Sequence, residues 1–323
     1  MSVEVHVLIS RPRGEPRSLS TYYHELASRL AGVPGLKVAL VPHLYDLAPQ
    51  GPTLQYLRSI QSGIVVLAAL YPRAAFWLLD AQGVRGRLGL TSSLAEGEAP
   101  GGLASPHRHA QVPDRTLWCF DLRRYPDPER LVGEILEAIG ARVAEGPAGA
   151  APQGSGPPSA APWHEIVEPA TPRWYPVIDF HECNDCLECL NFCLFGVYSV
   201  DAAGRPRVEQ PDACRPGCPA CARICPAGAI LFPQHGDPAI AGDPLAARKS
   251  LRLDLSQVLR GLSPADLAAL ERARALGNTS QAASAPAHPQ TPVGLSPEIE
   301  TPEASPPALD LDALVDRLDK LGD

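Results

Sequence analysis

The first part of the chain alternates short apolar runs with stretches of helical periodicity. The runs at 3–10, 37–42, 64–70 and 116–122 read as strands. Between and after them, apolar positions on one face predict helices over 21–30, 53–60 and 128–139. In the last of these, Leu131, Ile135, Leu136 and Ile139 share a face, and Asp127 followed by Pro128 supplies a cap and a first-turn proline. Strands alternating with helices predict an α/β fold, a doubly wound parallel sheet over residues 1–143. The longest apolar run, GIVVLAALYPRAAFWLLD, is interrupted at Pro72 and Arg73. A membrane helix needs about 20 apolar residues, so this run reads as a buried strand followed by a helix, and no membrane span is expected.

The pattern then changes. Residues 144–172 read as a Pro/Gly/Ala-rich linker, and AEGPAGAAPQGSGPPSAAP, 144–162, has no apolar period at all. A cysteine-rich domain follows over 173–241, then a helical segment over 242–277 in which Ser263, Pro264 and Asp266 mark a helix start. A second Pro-rich linker over 278–307 leads to a short amphipathic helix, 308–323. Leu311, Leu314, Val315, Leu318 and Leu321 share one face of it. On its long tether this helix is expected to dock on a partner or fold back on its own chain.

The formal net charge of −8 argues against nucleic acid as a partner, because phosphate binding wants a basic patch. MSVEVHVLIS alternates like a strand and lacks the features of a secretion signal. A cytoplasmic protein is expected. Nine cysteines in a reducing compartment point to metal or redox chemistry before disulfides.

Eight of those nine cysteines fall in two runs: Cys183, Cys186, Cys189 and Cys193, then Cys214, Cys218, Cys221 and Cys225 followed by Pro226. The second run repeats the first thirty-two residues later, with one extra residue in its first gap, and ECLNFCLFGVYSV aligns with ACARICPAGAILF. Zinc sites use four ligands in two pairs, which these closely spaced runs of four fit poorly. An iron–sulfur cube needs a thiolate at each of four iron corners. Three cysteines on one loop can serve three corners, and the fourth thiolate must come from the opposite side.

The two runs resemble the bacterial-type two-cluster ferredoxin, in which the fourth cysteine of each run ligates the other cluster. The resemblance covers residues 174–235 and implies an α+β domain with two 4Fe–4S clusters. Cluster I would be held by Cys183, Cys186, Cys189 and Cys225, and cluster II by Cys214, Cys218, Cys221 and Cys193. The chain departs from that family in the longer Cys214–Cys218 gap and in Leu194, where a proline usually follows the fourth cysteine. Glu182, Asp185 and Glu188 crowd the first run, whereas Arg215 and Arg223 flank the second. Negative surroundings disfavour adding an electron, so cluster I is expected to have the lower potential.

Elsewhere the chemistry is sparser. The loop after the first strand, SRPRGEPRSLST, places Arg11, Arg13, Arg17, Ser18 and Ser20 where α/β sheets bind ligands. It resembles the phosphate loops of flavodoxin-like domains, which would imply a bound flavin or another phosphate-bearing ligand; a solvated basic loop is the plain alternative. His43, Asp46, Tyr71 and Arg73 stand at the ends of the second and third strands, as crevice or as loop and core residues. Cys119, in LWCFDL, reads as a small buried hydrophobe.

Three functions are compatible with these residues. The leading one is an electron carrier whose two 4Fe–4S clusters pass single electrons between redox partner proteins, with no catalytic residues needed. The second is a redox enzyme or subunit whose N-terminal domain binds the flavin and exchanges electrons with the clusters. The third is a module in which the clusters mainly hold structure.

Overall fold

The computed structural model describes residues 4–14, 17–92, 94, 113–140, 162–243, 246, 269 and 272; the side chains of 17–19 are outside that set. Ala269 and Arg272 are helical. The rest of the helical segment beyond residue 246, the second Pro-rich linker and the terminal amphipathic helix lie outside the described residues.

The α/β part runs β1 (Val5–Ser10), α1 (Arg17–Ala31), β2 (Leu36–Val41), α2 (Pro52–Ser59), β3 (Ile64–Ala68), α3 (Pro72–Ala81), β4 (Arg87–Leu88), β5 (Thr116–Asp121) and α4 (Pro128–Ala138). With β6 (His164–Glu165) these strands form one parallel sheet in the order β4-β5-β3-β1-β2-β6. Every residue of β3 is buried, as a central strand covered on both faces requires. Successive residues of β1 feed opposite layers: Val7 and Ile9 join Leu26, Leu30, Leu131 and Ile135 of α1 and α4, while Leu8 joins Leu54, Leu57, Trp77 and Leu78 of α2 and α3. Pro72 opens α3, where its missing N–H costs nothing, and the Asp127 carboxylate caps α4 by accepting the Glu129 N–H at 3.0 Å.

Two-residue β6 lies in the stretch read as linker. It pairs His164 with Ala39 and Glu165 with Leu40, covering the outer edge of β2. Trp163 holds it there by stacking on His24 of α1, with ring centroids 5.2 Å apart.

The cysteine-rich part has β7 (Val177–Ile178), α5 (Glu188–Phe192), β8 (Tyr198–Val200), β9 (Pro206–Val208), α6 (Ala220–Ile224), β10 (Ile230–Leu231) and α7 (Pro238–Ala241). β7 pairs antiparallel with β10, and β8 with β9. The sequence repeat is a structural repeat: α5 and α6 occupy equivalent five-residue stretches thirty-two residues apart, and Tyr198 of β8 corresponds to Ile230 of β10.

Both parts fall in one compact unit, Met1–Ala285. Val177 and Leu231 are buried in the same apolar cluster as Trp77 and Leu54. Tyr45 and Tyr175 stack with centroids 4.3 Å apart, and the Tyr175 N–H donates to the Tyr45 hydroxyl at 2.7 Å. The Trp77 ring meets Phe180 edge-on at 5.7 Å.

Candidate metal centre

Each cysteine run lies on a tight loop that ends in a five-residue helix. The first loop turns through two left-handed residues, Asp185 (φ 58°) and Leu187 (φ 62°), and the second has Gly217 (φ 74°) at the position equivalent to Asp185. A short polar side chain tolerates that conformation, glycine adopts it freely, and a bulky leucine rarely does. Leu187 is held by the start of α5, its carbonyl accepting the Leu190 and Asn191 N–H groups, each at 3.0 Å. Left-handed residues of this kind curl a backbone into a concave loop that gathers N–H groups on one side.

Thiols of the two runs lie near enough to act on one another's charge. Burial pushes the Cys189 thiol up to about 11, the Leu190 N–H opposes that, and the neighbouring Cys183, Cys225 and Cys186 add to it. The Cys214 thiol is raised by burial first, and then by Cys221, Cys218 and Cys193. Cys193, Cys214, Cys218 and Cys221 also line one cavity of about 210 Å³, walled by Phe192, Leu194, Phe195 and Tyr198. Among the described residues no three His, Cys, Asp or Glu side chains converge as the ligands of a single ion do. The four thiols share the lining of that cavity, a donor set of the kind an iron–sulfur cube takes. The donor set and the room therefore fit an iron–sulfur cube.

The surroundings of the two groups differ. At the first, Cys186 is exposed, the Asp185 carboxylate lies 3.6 Å from the Cys183 sulfur, and the Ala229 N–H points at the Cys225 sulfur at 3.3 Å. At the second, burial pushes the Cys221 thiol up to about 12 while the buried Tyr198 hydroxyl beside it pulls the other way. Trp174, stacked on Phe232, donates its indole N–H to the Cys218 carbonyl at 3.2 Å. Leu194, where the ferredoxin pattern has proline, is 92% exposed beside this cavity.

Of the strand-end residues, Arg11, Arg13, His43, Asp46 and Arg73 meet the cysteine-rich part or the segment leading to it. Arg11 pairs with Glu165, and Arg13 grips the Asp46 carboxylate and donates to the Arg173 carbonyl at 2.8 Å. The side chains of Arg17 and Ser18 are outside the described residues. Asp46 also accepts the Arg173 N–H at 2.9 Å, and Arg173 reaches Asp212 at 2.8 Å, two residues before Cys214. His43 meets Gln234 at 3.0 Å. Arg73 binds Asp179, whereas Tyr71 lies under the Arg123 guanidinium at 4.3 Å. Cys119 is fully buried in β5, where burial pushes its thiol up to about 12. Sequence reasoning passed over Arg173, Trp174, Tyr175, Asp179 and Tyr198 as site residues. Their partners lie far along the chain, so no local spacing singles them out.

Over 66 residues, 20% of this chain, the sequence is 39% identical to a protein of Methanocaldococcus jannaschii named an uncharacterized ferredoxin. The match covers 44% of that protein, so the chain spans under half the length of this relative. No family model matches the chain. No solved structure matches it. No helix among the described residues is long and apolar enough to cross a membrane.

Proposed function

We propose that this protein is an iron–sulfur electron carrier holding two 4Fe–4S clusters. Cys183, Cys186, Cys189 and Cys225 hold cluster I; Cys193, Cys214, Cys218 and Cys221 hold cluster II. The observation that supports the reading is that Cys225 neighbours Cys189, while Cys193 shares a cavity with Cys214, Cys218 and Cys221. The relative that matches over 66 residues is named a ferredoxin. A bound cube supplies a one-electron couple.

The chain's own residues make that couple usable. Burial keeps the Cys189 and Cys221 thiols protonated near neutral pH, so loading the site displaces protons from them. Apolar side chains, Phe192, Val197 and Tyr198 among them, limit water around the Cys193 group. The Ala229 N–H is placed to stabilise negative charge on Cys225. No nucleophile or matched acid–base pair is required, which leaves transfer between redox partner proteins as the task.

Anaerobic purification of the full chain, with iron and acid-labile sulfide assayed on one sample, tests this. About eight of each per chain are expected, with EPR signals from two reduced cubes. Zinc in their place, or iron without sulfide, overturns the proposal.

A further inference from the structure

Arg73 is the second residue of α3, at the carboxyl edge of the sheet beside β1 and β3. There the strand order reverses, and doubly wound sheets place their ligands at that point. Here the guanidinium reaches into the cysteine-rich part instead. Nε donates to the Asp179 carboxylate, and Nη2 donates to the Gly228 carbonyl at 3.2 Å. The Asp179 side chain is only 2% exposed.

Asp179 organises the approach to Cys183. Its carboxylate accepts the His181 N–H at 2.9 Å and the Glu182 N–H at 3.2 Å, and its carbonyl accepts the Cys183 N–H at 3.0 Å. Gly228 belongs to the turn that fixes Cys225: its N–H donates to the Cys225 carbonyl at 3.2 Å, and the next N–H, of Ala229, points at the Cys225 sulfur. The Asp179 N–H donates to the Ala229 carbonyl at 2.8 Å and ties the two segments together. Trp77, one turn after Arg73, supports Phe180 between them, and Ala74 lies where a side chain on Gly242 would have to go.

The geometry points to Arg73 as the positioning residue of cluster I: one guanidinium from the α/β part holds the two segments that deliver Cys183 and Cys225. This rests on the two-cube reading above. The other copy of the repeat is built differently. At the places equivalent to Gly228 and Asp179 it has Gly196 and Gln210, so it presents no carboxylate there. Its ion pair, Arg173 with Asp212, lies within the cysteine-rich part, and the Asp212 side chain is 68% exposed; exposed pairs contribute little.

The test compares the full chain with Arg73→Met and Arg73→Lys, all purified anaerobically, with EPR signals assigned through Cys186→Ala and Cys218→Ala chains. Iron loss to a chelator is followed cluster by cluster alongside each midpoint potential. Arg73→Met leaves the Asp179 carboxylate buried without its partner, so cluster I should lose iron about tenfold faster and shift in potential. Cluster II should stay within about twofold on the same argument. Lysine keeps the charge but not the fork, so its effect should be smaller and equally selective. If Arg73→Met does not fold, Arg73→Lys carries the comparison. Equal acceleration of both clusters, or of neither, overturns the role of Arg73. Fewer than two cubes in the parent chain overturns the two-cube reading itself.

Discussion

The two cysteine loops share a pattern and differ in their settings. The first is exposed and acidic, with a carboxylate beside a thiol, and is anchored to the sheet by the buried Arg73–Asp179 pair. The second surrounds an apolar cavity, with Tyr198 and Trp174 against it, and reaches the sheet through Arg173 and Asp46. The thiols of a repeat dictate what can be bound. The residues around them, which do not repeat, decide how firmly each site is held and how readily it takes an electron.

The largest effect should come from Cys193→Ala, which breaks the comparison at its root. Although Cys193 belongs to the first run, its loss should cost about four irons from the site of Cys214, Cys218 and Cys221 and leave the Cys189 site more intact, as iron assay and EPR would show. Loss of the first site instead would mean that each run closes on itself. Next in size is Asp46→Ala, which strands Arg13 and frees the Arg173 backbone. Arg13 is 29% exposed, so losing these charge-assisted hydrogen bonds should cost about 1.5–3 kcal/mol, measurable by denaturant unfolding, and the second loop should loosen first.

Acid should act on the same side of the molecule. Burial lowers both His43 and His235 to about 4, from 6.5. In that window the unfolded chain binds more protons than the folded one, so stability is full above pH ~6.5 and falls as the pH drops toward ~4. The loss should be about 1–3 kcal/mol per histidine, read from unfolding curves at several pH values. His43→Gln should flatten that dependence. The smallest effect is expected of Asp185→Asn, which removes a charge beside the Cys183 sulfur. Cluster I should rise in potential by on the order of tens of mV while cluster II stays put, since the site is exposed and screened. An unchanged cluster I would show that solvent, not Asp185, sets its potential.

Much of the α/β pattern was legible because strands and helices announce themselves over several residues. β1, β2, β3 and β5 lie where the apolar runs are, and α3 follows Pro72 as the broken run implied. β4 and β6 were not legible, because two residues carry no period and their pairing depends on an edge made elsewhere. The basic loop was legible as charge but not as contact: Arg11 and Arg13 face Glu165 and Asp46. The same limit applies at the centre. Arg73 and Asp179 are 106 residues apart, and nothing near either one marks the other.

By itself the sequence determined the chemistry on offer, namely two matched runs of four thiols on loops entering short helices, since spacing and turn residues act locally. Only the tertiary structure decided which part of the molecule holds them. It did so because the apolar faces of α3, β7 and β10 bury one another and bring Arg73 to Asp179. Long-range packing of that kind has no period to read along the chain.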